Sequence, residues 1–160
     1  MDEAGRVTAL AYREFVRPGD TDWERYLDEI ADVPTRAERT EVLVAVEDGR
    51  ILGSATLEIT TRVSPDAERA LDPDESHIRM LGVDPSARGR GVARTLMAAC
   101  FDRARQEGKR RITLHTTMRM QAAQRMYESM GFRRLPDRVY PDGFVLLTYE
   151  REIGPGPGLA

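Results

Sequence analysis

Residues 78–97, IRMLGVDPSARGRGVARTLM, constrain the fold more than any other stretch of the chain. Residues 78–83 are a short apolar run of the kind that forms a buried strand. Residues 84–86 make a turn, where Pro85 has no N–H to give to a sheet. Arg88-Gly89-Arg90-Gly91-Val92-Ala93 then opens a helix. A strand that passes through glycines into a helix N-terminus can hold a phosphate. The first helical turn carries unpaired N–H groups and a partial positive charge, and glycines leave an anion room to approach them. Arg88, Arg90 and Arg94 add three cations at the same spot. Cations there oppose the helix dipole unless an anion offsets them, although a solvated helix start is the plainer reading.

Two familiar phosphate loops fail on spacing. A Walker A loop ends in Gly-Lys-Ser/Thr, whereas Arg94 stands five places after Gly89 and Leu96 five after Gly91. A dinucleotide fingerprint wants a small residue where Arg94 stands and an acid about twenty residues on, where Arg110-Arg111 is found.

Composition narrows the function class. At 160 residues, 41% hydrophobic and 32% charged, the chain suits one soluble globular domain, residues 1–153, with 154–160 (GPGPGLA) as a flexible tail. A net charge of −3 argues against non-specific nucleic-acid binding. No apolar run approaches the ~18–20 residues of a membrane span, and the N-terminus has no leader pattern. A lone cysteine, Cys100, fits a cytoplasmic location and a buried apolar role.

Periodicity supplies the elements. Residues 7–12 read as a strand. A helix follows from Asp20 or Thr21 to Ile30, then a short one over 35–39. Residues 41–47 and 50–60 form a hairpin about Asp48-Gly49. Residues 61–75 read as a loop, a mobile one beside a site being one reading of it. After the glycine loop a helix spans 92–107, with Ala93, Leu96, Met97, Cys100 and Ala104 on one face and Gly108 as its stop. A strand at 110–116, a helix capped by Thr117 and running to Met130, and strands at 132–135 and 144–151 complete the chain. The order β-α-α-β-β-β-α-β-α-β-β predicts an α/β domain around one twisted mixed sheet.

Arg88-Gly89-Arg90-Gly91-Val92-Ala93 matches Arg/Gln-x-x-Gly-x-Gly/Ala and resembles the pyrophosphate loop of the GCN5-related N-acetyltransferase (GNAT) superfamily. Residues 123–132, AAQRMYESMGF less its first alanine, resemble that superfamily's second signature, Asn-x-x-Ala-x-x-x-Tyr-x-x-x-Gly-Phe. The likeness covers about residues 41–151 and is clearest over 78–132. It departs at Met120, where the family has an asparagine whose amide helps hold the cofactor arm. The resemblance implies a sheet of about six to seven strands splayed in the middle and flanked by about four helices. It implies acetyl-CoA as co-substrate and acetyl transfer to a primary amine. The strand 78–83 would part from 110–116, and backbone groups of Leu81, Gly82 and Val83 would pair with the pantetheine arm. The pyrophosphate would rest on the amides of Arg88, Gly89, Arg90, Gly91, Val92, Ala93 and Arg94.

A free amine attacking a thioester needs to be deprotonated, and the leaving thiolate needs a proton. Tyr127 stands where the family's tyrosine faces the sulfur, which makes it the candidate general acid. Its spacing also allows a core tyrosine. Counting back from Val83 to the place of the family's glutamate reaches His77, the candidate base, whose ordinary pKa near 6.5 suits the task. Glu75 shares its strand face and can orient it, act through water or simply be solvated, and an ordinary surface role is open to both. His115 fits packing or an acceptor-facing role. Tyr12, Phe15, Trp23, Tyr26 and Tyr140 are candidates to line an acceptor pocket or to fill core. The acceptor itself, a small molecule or a peptide amine, is not specified, nor is the oligomeric state, a homodimer being one option. A non-catalytic acyl-CoA sensor of the same fold is the alternative.

Overall fold

A computed structural model of the chain describes residues 2–62 and 69–155. The tail reading falls mostly on residues 156–160 and the mobile-loop reading partly on 63–68, both outside the described residues. Within them lie α1 (Asp2–Arg13), α2 (Thr21–Ala31), α3 (Val33–Ala37), β1 (Glu41–Glu47), β2 (Arg50–Glu58), β3 (Glu75–Val83), α4 (Val92–Gln106), β4 (Arg111–Thr117), α5 (Gln121–Ser129), β5 (Arg133–Val139) and β6 (Val145–Glu152), with one 3-10 turn at Pro85–Ala87. The sheet order is β1-β2-β3-β4-β6-β5, with β3–β4 parallel and every other pairing antiparallel.

The expected first strand at 7–12 is instead part of α1. Ala4, Val7, Thr8 and Ala11 recur at helical spacing and are buried on one face, Asp2 and Glu3 stand in its first turn, and Arg13 in its last. Reading from Val7 had cut that period short. Gly5 lets α1 approach α2 closely, because a Cβ there would lie 2.0 Å from the Ala31 carbonyl oxygen. Met120, not Thr117, is the N-cap of α5. β5 runs through Pro136, which an edge strand with a register shift between Leu135 and Arg138 accommodates.

One sheet face is covered by α4 and α5. Leu57, Ile78, Ile112, Leu114, Leu147 and Tyr149 there meet Leu96, Met97, Cys100 and Phe101 in the main core. Burial raises the Cys100 thiol pKa to about 12, so it is inert packing. The opposite face receives α1 across β2 and β3, where Thr8 and Ser54 share a buried hydrogen bond, and Arg36 beside them donates to Thr56 and to the carbonyls of Glu29 and Ile30. Beyond α1 that face is polar and open.

β3 and β4 pair over only four positions, Glu75↔Arg111 to Ile78↔Leu114. Further on, β3 stays paired with β2 through Val83, and β4 stays paired with β6 through Thr117. The sheet therefore opens between them. The opening coincides with a register shift on the β2 side and with Met80, a buried non-glycine residue at φ 53. A left-handed residue in a bulge turns the strand and frees one edge from its neighbour.

Candidate active site

Two cavities flank the opening. The first, about 630 Å³, is lined by Leu81, Gly82 and Val83 of β3, by the glycine loop and first turn of α4, and by Ala123, Met126 and Tyr127 of α5. Gly89 and Gly91 adopt φ of 75° and 81°, a region that L side chains avoid, and a Cβ at either would meet no protein atom within 4 Å. Gly91 caps α4 without any side-chain hydrogen bond to its first turn, so those amides face the cleft unclaimed by a cap. Open glycines and uncapped amides give this cleft the donor chemistry to take an anion.

The three arginines do not behave alike. Arg88 Nη1 donates to Glu14 Oε2 at 3.1 Å, and Arg94 Nη2 to Ser129 Oγ at 2.5 Å; both residues line the cleft. Arg90 turns to the β1–β2 hairpin, making a two-pronged contact with Glu47 at 2.5 and 2.7 Å, and is absent from the lining. All these pairs are exposed, where such contacts are weak and exchangeable. Met120 is buried at the α5 cap and lines the cleft with its apolar thioether, offering no amide there.

Tyr127, 6% exposed, stacks obliquely on Phe132 and Tyr149 and reaches the cleft. Burial, then Tyr149, pushes its phenol pKa well above the ordinary value, so it stays protonated. Tyr127 is thus part of the core and part of the cleft wall.

The second cavity, about 1140 Å³, occupies the open polar face of the sheet. Tyr12, Trp23, Tyr26 and Tyr140 line it, whereas Phe15 lines the first cavity. Tyr12, His115, Thr116 and Met120 line both cavities and mark their junction. Thr116 Oγ1 is buried there without a hydrogen-bond partner among the described residues.

β3 begins at Glu75, three residues before the expected start, which carries Glu75 and His77 into the buried part of the sheet. Across the ladder His77 faces Thr113. Thr113 Oγ1 donates to Glu75 Oε1 at 2.7 Å and lies 2.8 Å from His77 Nδ1. A threonine hydroxyl has one proton. If the carboxylate takes it, Nδ1 must carry a hydrogen to donate, and Nε2 is left with its lone pair. Burial alone would raise the Glu75 pKa, but Arg69, Thr113 and the Asp72 amide outweigh it and hold the carboxyl below its usual value. His77 is pushed well below its usual pKa by burial, then by His115, Arg62, Arg79 and Arg69.

His115 is not core packing. It points to the cavity side of β4, its ring 4.8 Å from that of His77 and its Nδ1 3.1 Å from Thr148 Oγ1. Burial, then Arg62, Arg138 and Arg79, lowers its pKa to about 4. Two neutral imidazoles, tilted 53° to one another, thus stand beside the junction. Thr113 and Thr116 escaped the sequence reading, since they depend on the β3–β4 register, and of the two roles open to His115 the structure shows the cavity-facing one.

Comparison with known proteins bears on this arrangement. Residues 6–132 match the model of the acetyltransferase (GNAT) family. The chain belongs to that family. Among curated relatives of this GNAT domain, mycothiol acetyltransferase of Cellulomonas flavigena is 35% identical over 95 residues, 58% of this chain and 26% of that protein. N-acetylaspartate synthetase of Danio rerio is 30% identical over 92 residues, 58% of this chain and 29% of that protein. The chain thus spans about a quarter of the length of such relatives. The GNAT fold is shared with a solved structure of a GNAT-family acetyltransferase from Desulfovibrio desulfuricans, TM-score 0.69 and 18% identity, covering 94% of this chain and 90% of that one. A Salmonella typhimurium acetyltransferase solved with its cofactor acetyl-CoA gives a TM-score of 0.64 at 20% identity, covering 99% and 91%.

Proposed function

We propose that the protein is an acetyl-CoA-dependent N-acetyltransferase acting on a small-molecule amine. One observation carries the reading: an anion-ready cleft at the α4 N-terminus runs to a junction with a separate polar cavity, with a protonated phenol on the cleft wall and neutral imidazoles on the other side. Acetyl-CoA supplies the activated acetyl group. Amides of Gly91, Val92 and Ala93 hold its pyrophosphate, and the free edge of β3 at Leu81, Gly82 and Val83 pairs with its arm.

The amine enters from the larger cavity and meets the thioester at Tyr12, His115, Thr116 and Met120. Attack by the amine nitrogen breaks the carbon–sulfur bond. The Tyr127 hydroxyl gives its proton to the departing thiolate. The amine's proton goes to the imidazole pair. His115 is the nearer to the junction, and His77, fixed in one tautomer by Thr113 and Glu75, stands behind it. Much of the rate comes from holding both substrates in register.

Calorimetry with acetyl-CoA, followed by thiol release across a panel of amines, tests this. Binding with turnover is expected. Tight binding with no turnover on any amine would identify a sensor, and absence of binding would remove the reading altogether.

A further inference from the structure

The floor of the larger cavity carries an uneven charge. Glu58, fully buried at the end of β2, faces two guanidiniums: Arg79 Nη1 lies 3.6 Å from Oε1 and Arg62 Nε 3.4 Å from Oε2. These separations are those of ion pairs, longer than good charge-assisted hydrogen bonds. Arg62 Nε is buried with no hydrogen-bond partner among the described residues. The two arginine side chains are only 13% and 14% exposed, and both line the cavity.

Glu29, Asp137 and Asp142 also line the cavity, with no ion pair to Arg62 or Arg79 among the described residues, and the remaining acids are engaged elsewhere. Glu75 is held by Arg69 and Thr113, Asp20 by Arg119, and Asp22 by Arg25. Among the described residues, Arg62 and Arg79 thus share the Glu58 carboxylate at the bottom of a concave site. Costly, half-compensated guanidiniums of this kind are suited to a planar oxyanion.

Register fixes where that charge lies. Glu58 pairs with His77, and His77 with Thr113, in one row across the sheet. Arg79 is two residues along on the same face, beyond the last β3–β4 pair. One step past Thr113 on that face of β4 is His115. Arg79 and His115 thus stand on opposite lips of the opening.

We propose that Arg62 and Arg79 form an anion subsite for the acceptor, whose substrate is a carboxylate-bearing amine of amino-acid type, with the carboxylate on the guanidiniums and the amine at His115. This rests on the acetyltransferase reading above and specifies its acceptor. The depressed basicity of both imidazoles, to which Arg62 and Arg79 contribute, agrees with a positive field there. Such a field also favours the uncharged form of an incoming amine, while the carboxylate neutralises it on binding.

The test pairs each free amino acid with its carboxamide, which keeps amine and side chain and removes the charge. Thiol release from acetyl-CoA should favour the acid in kcat/KM by about 10-fold or more, the scale of a charged hydrogen-bonded contact. The lower amine pKa of the amide biases against this outcome. In Arg62→Gln and Arg79→Gln the acid-to-amide ratio should shrink toward unity, whatever the absolute rates. Calorimetry of the CoA-loaded protein with N-acetyl amino acids and their amides reads the subsite without turnover, and Arg62 lies outside any strand should Arg79→Gln fold poorly. Amides bound or turned over as well as acids would overturn the subsite. Failure of acetyl-CoA itself to bind would instead overturn the acetyltransferase reading.

Discussion

The two cavities that meet at His115 are built by opposite means. The cleft beside α4 takes its proposed anion seat from one contiguous stretch, a strand, two left-handed glycines and a helix start. The larger cavity takes its charged floor from β2, β3 and β4, whose residues meet only once the sheet is assembled. A local device of this kind tolerates change elsewhere but fails at a single backbone position. A distributed one loses function in smaller steps, residue by residue.

The largest effect should therefore fall on the local device. Gly91→Glu places a side chain and a negative charge at φ 81°, in the open space proposed to hold the diphosphate. It should weaken acetyl-CoA binding by about 100-fold or more in calorimetry, from strain plus repulsion. Affinity near that of the parent would refute the placement. Next, Tyr127→Phe should cut turnover by about 10- to 1000-fold while acetyl-CoA affinity changes little, the range for loss of a general acid. A full-rate mutant would make Tyr127 a packing residue alone.

On the distributed side, Thr113→Val removes the hydroxyl between Glu75 and His77. A loss of about 10-fold in kcat, with acetyl-CoA binding intact, would mark a positioning role; rescue by Thr113→Ser would separate that from simple misfolding. A smaller effect concerns pH. His77 and His115 have folded pKa values below their unfolded value near 6.5, so the unfolded chain binds more protons as pH drops. Stability contributed by these neutral rings is intact above 6.5 and declines toward about 4, where His115 titrates. Melts at pH 7 and pH 5 should differ by on the order of 1 kcal/mol, or about 2–4 °C, more than in His115→Gln. Equal slopes in parent and variant would contradict the buried neutral pair. The smallest effect is expected at Arg90, which is committed to Glu47. Arg90→Gln should change acetyl-CoA affinity by less than about 3-fold, whereas Arg88→Gln or Arg94→Gln should exceed that. A large loss at Arg90 would mean that the Glu47 contact yields to the ligand.

The same contrast governs how much was legible in the sequence. β1, its tight turn and α4 were readable because their signals lie within a few residues of one another. α1 was missed because a window opened at Val7 excludes Ala4 and so loses the helical period. The glycine loop was plain, but the partner of Arg90 was not, since Glu47 lies 43 residues away. His77 was reached by counting back from Val83 to the place where the family resemblance puts a glutamate. Thr113, and the choice between the two roles open to His115, required knowing that β4 lies parallel to β3 and in which register. The six-stranded sheet and its split followed from the family resemblance, while the extra helix in place of the first strand did not.

Four rungs are all that join β3 to β4, so the sheet is two plates sharing a short seam at one end. Beyond it, the facing edges of β3 and β4 have no strand pairing with each other. Any molecule that fills the slot supplies the missing rungs and braces both lips together. Deuterium uptake at 79–83 and at 115–117 should then slow in concert when the slot is occupied, a footprint of occupancy that needs no chemistry to be seen.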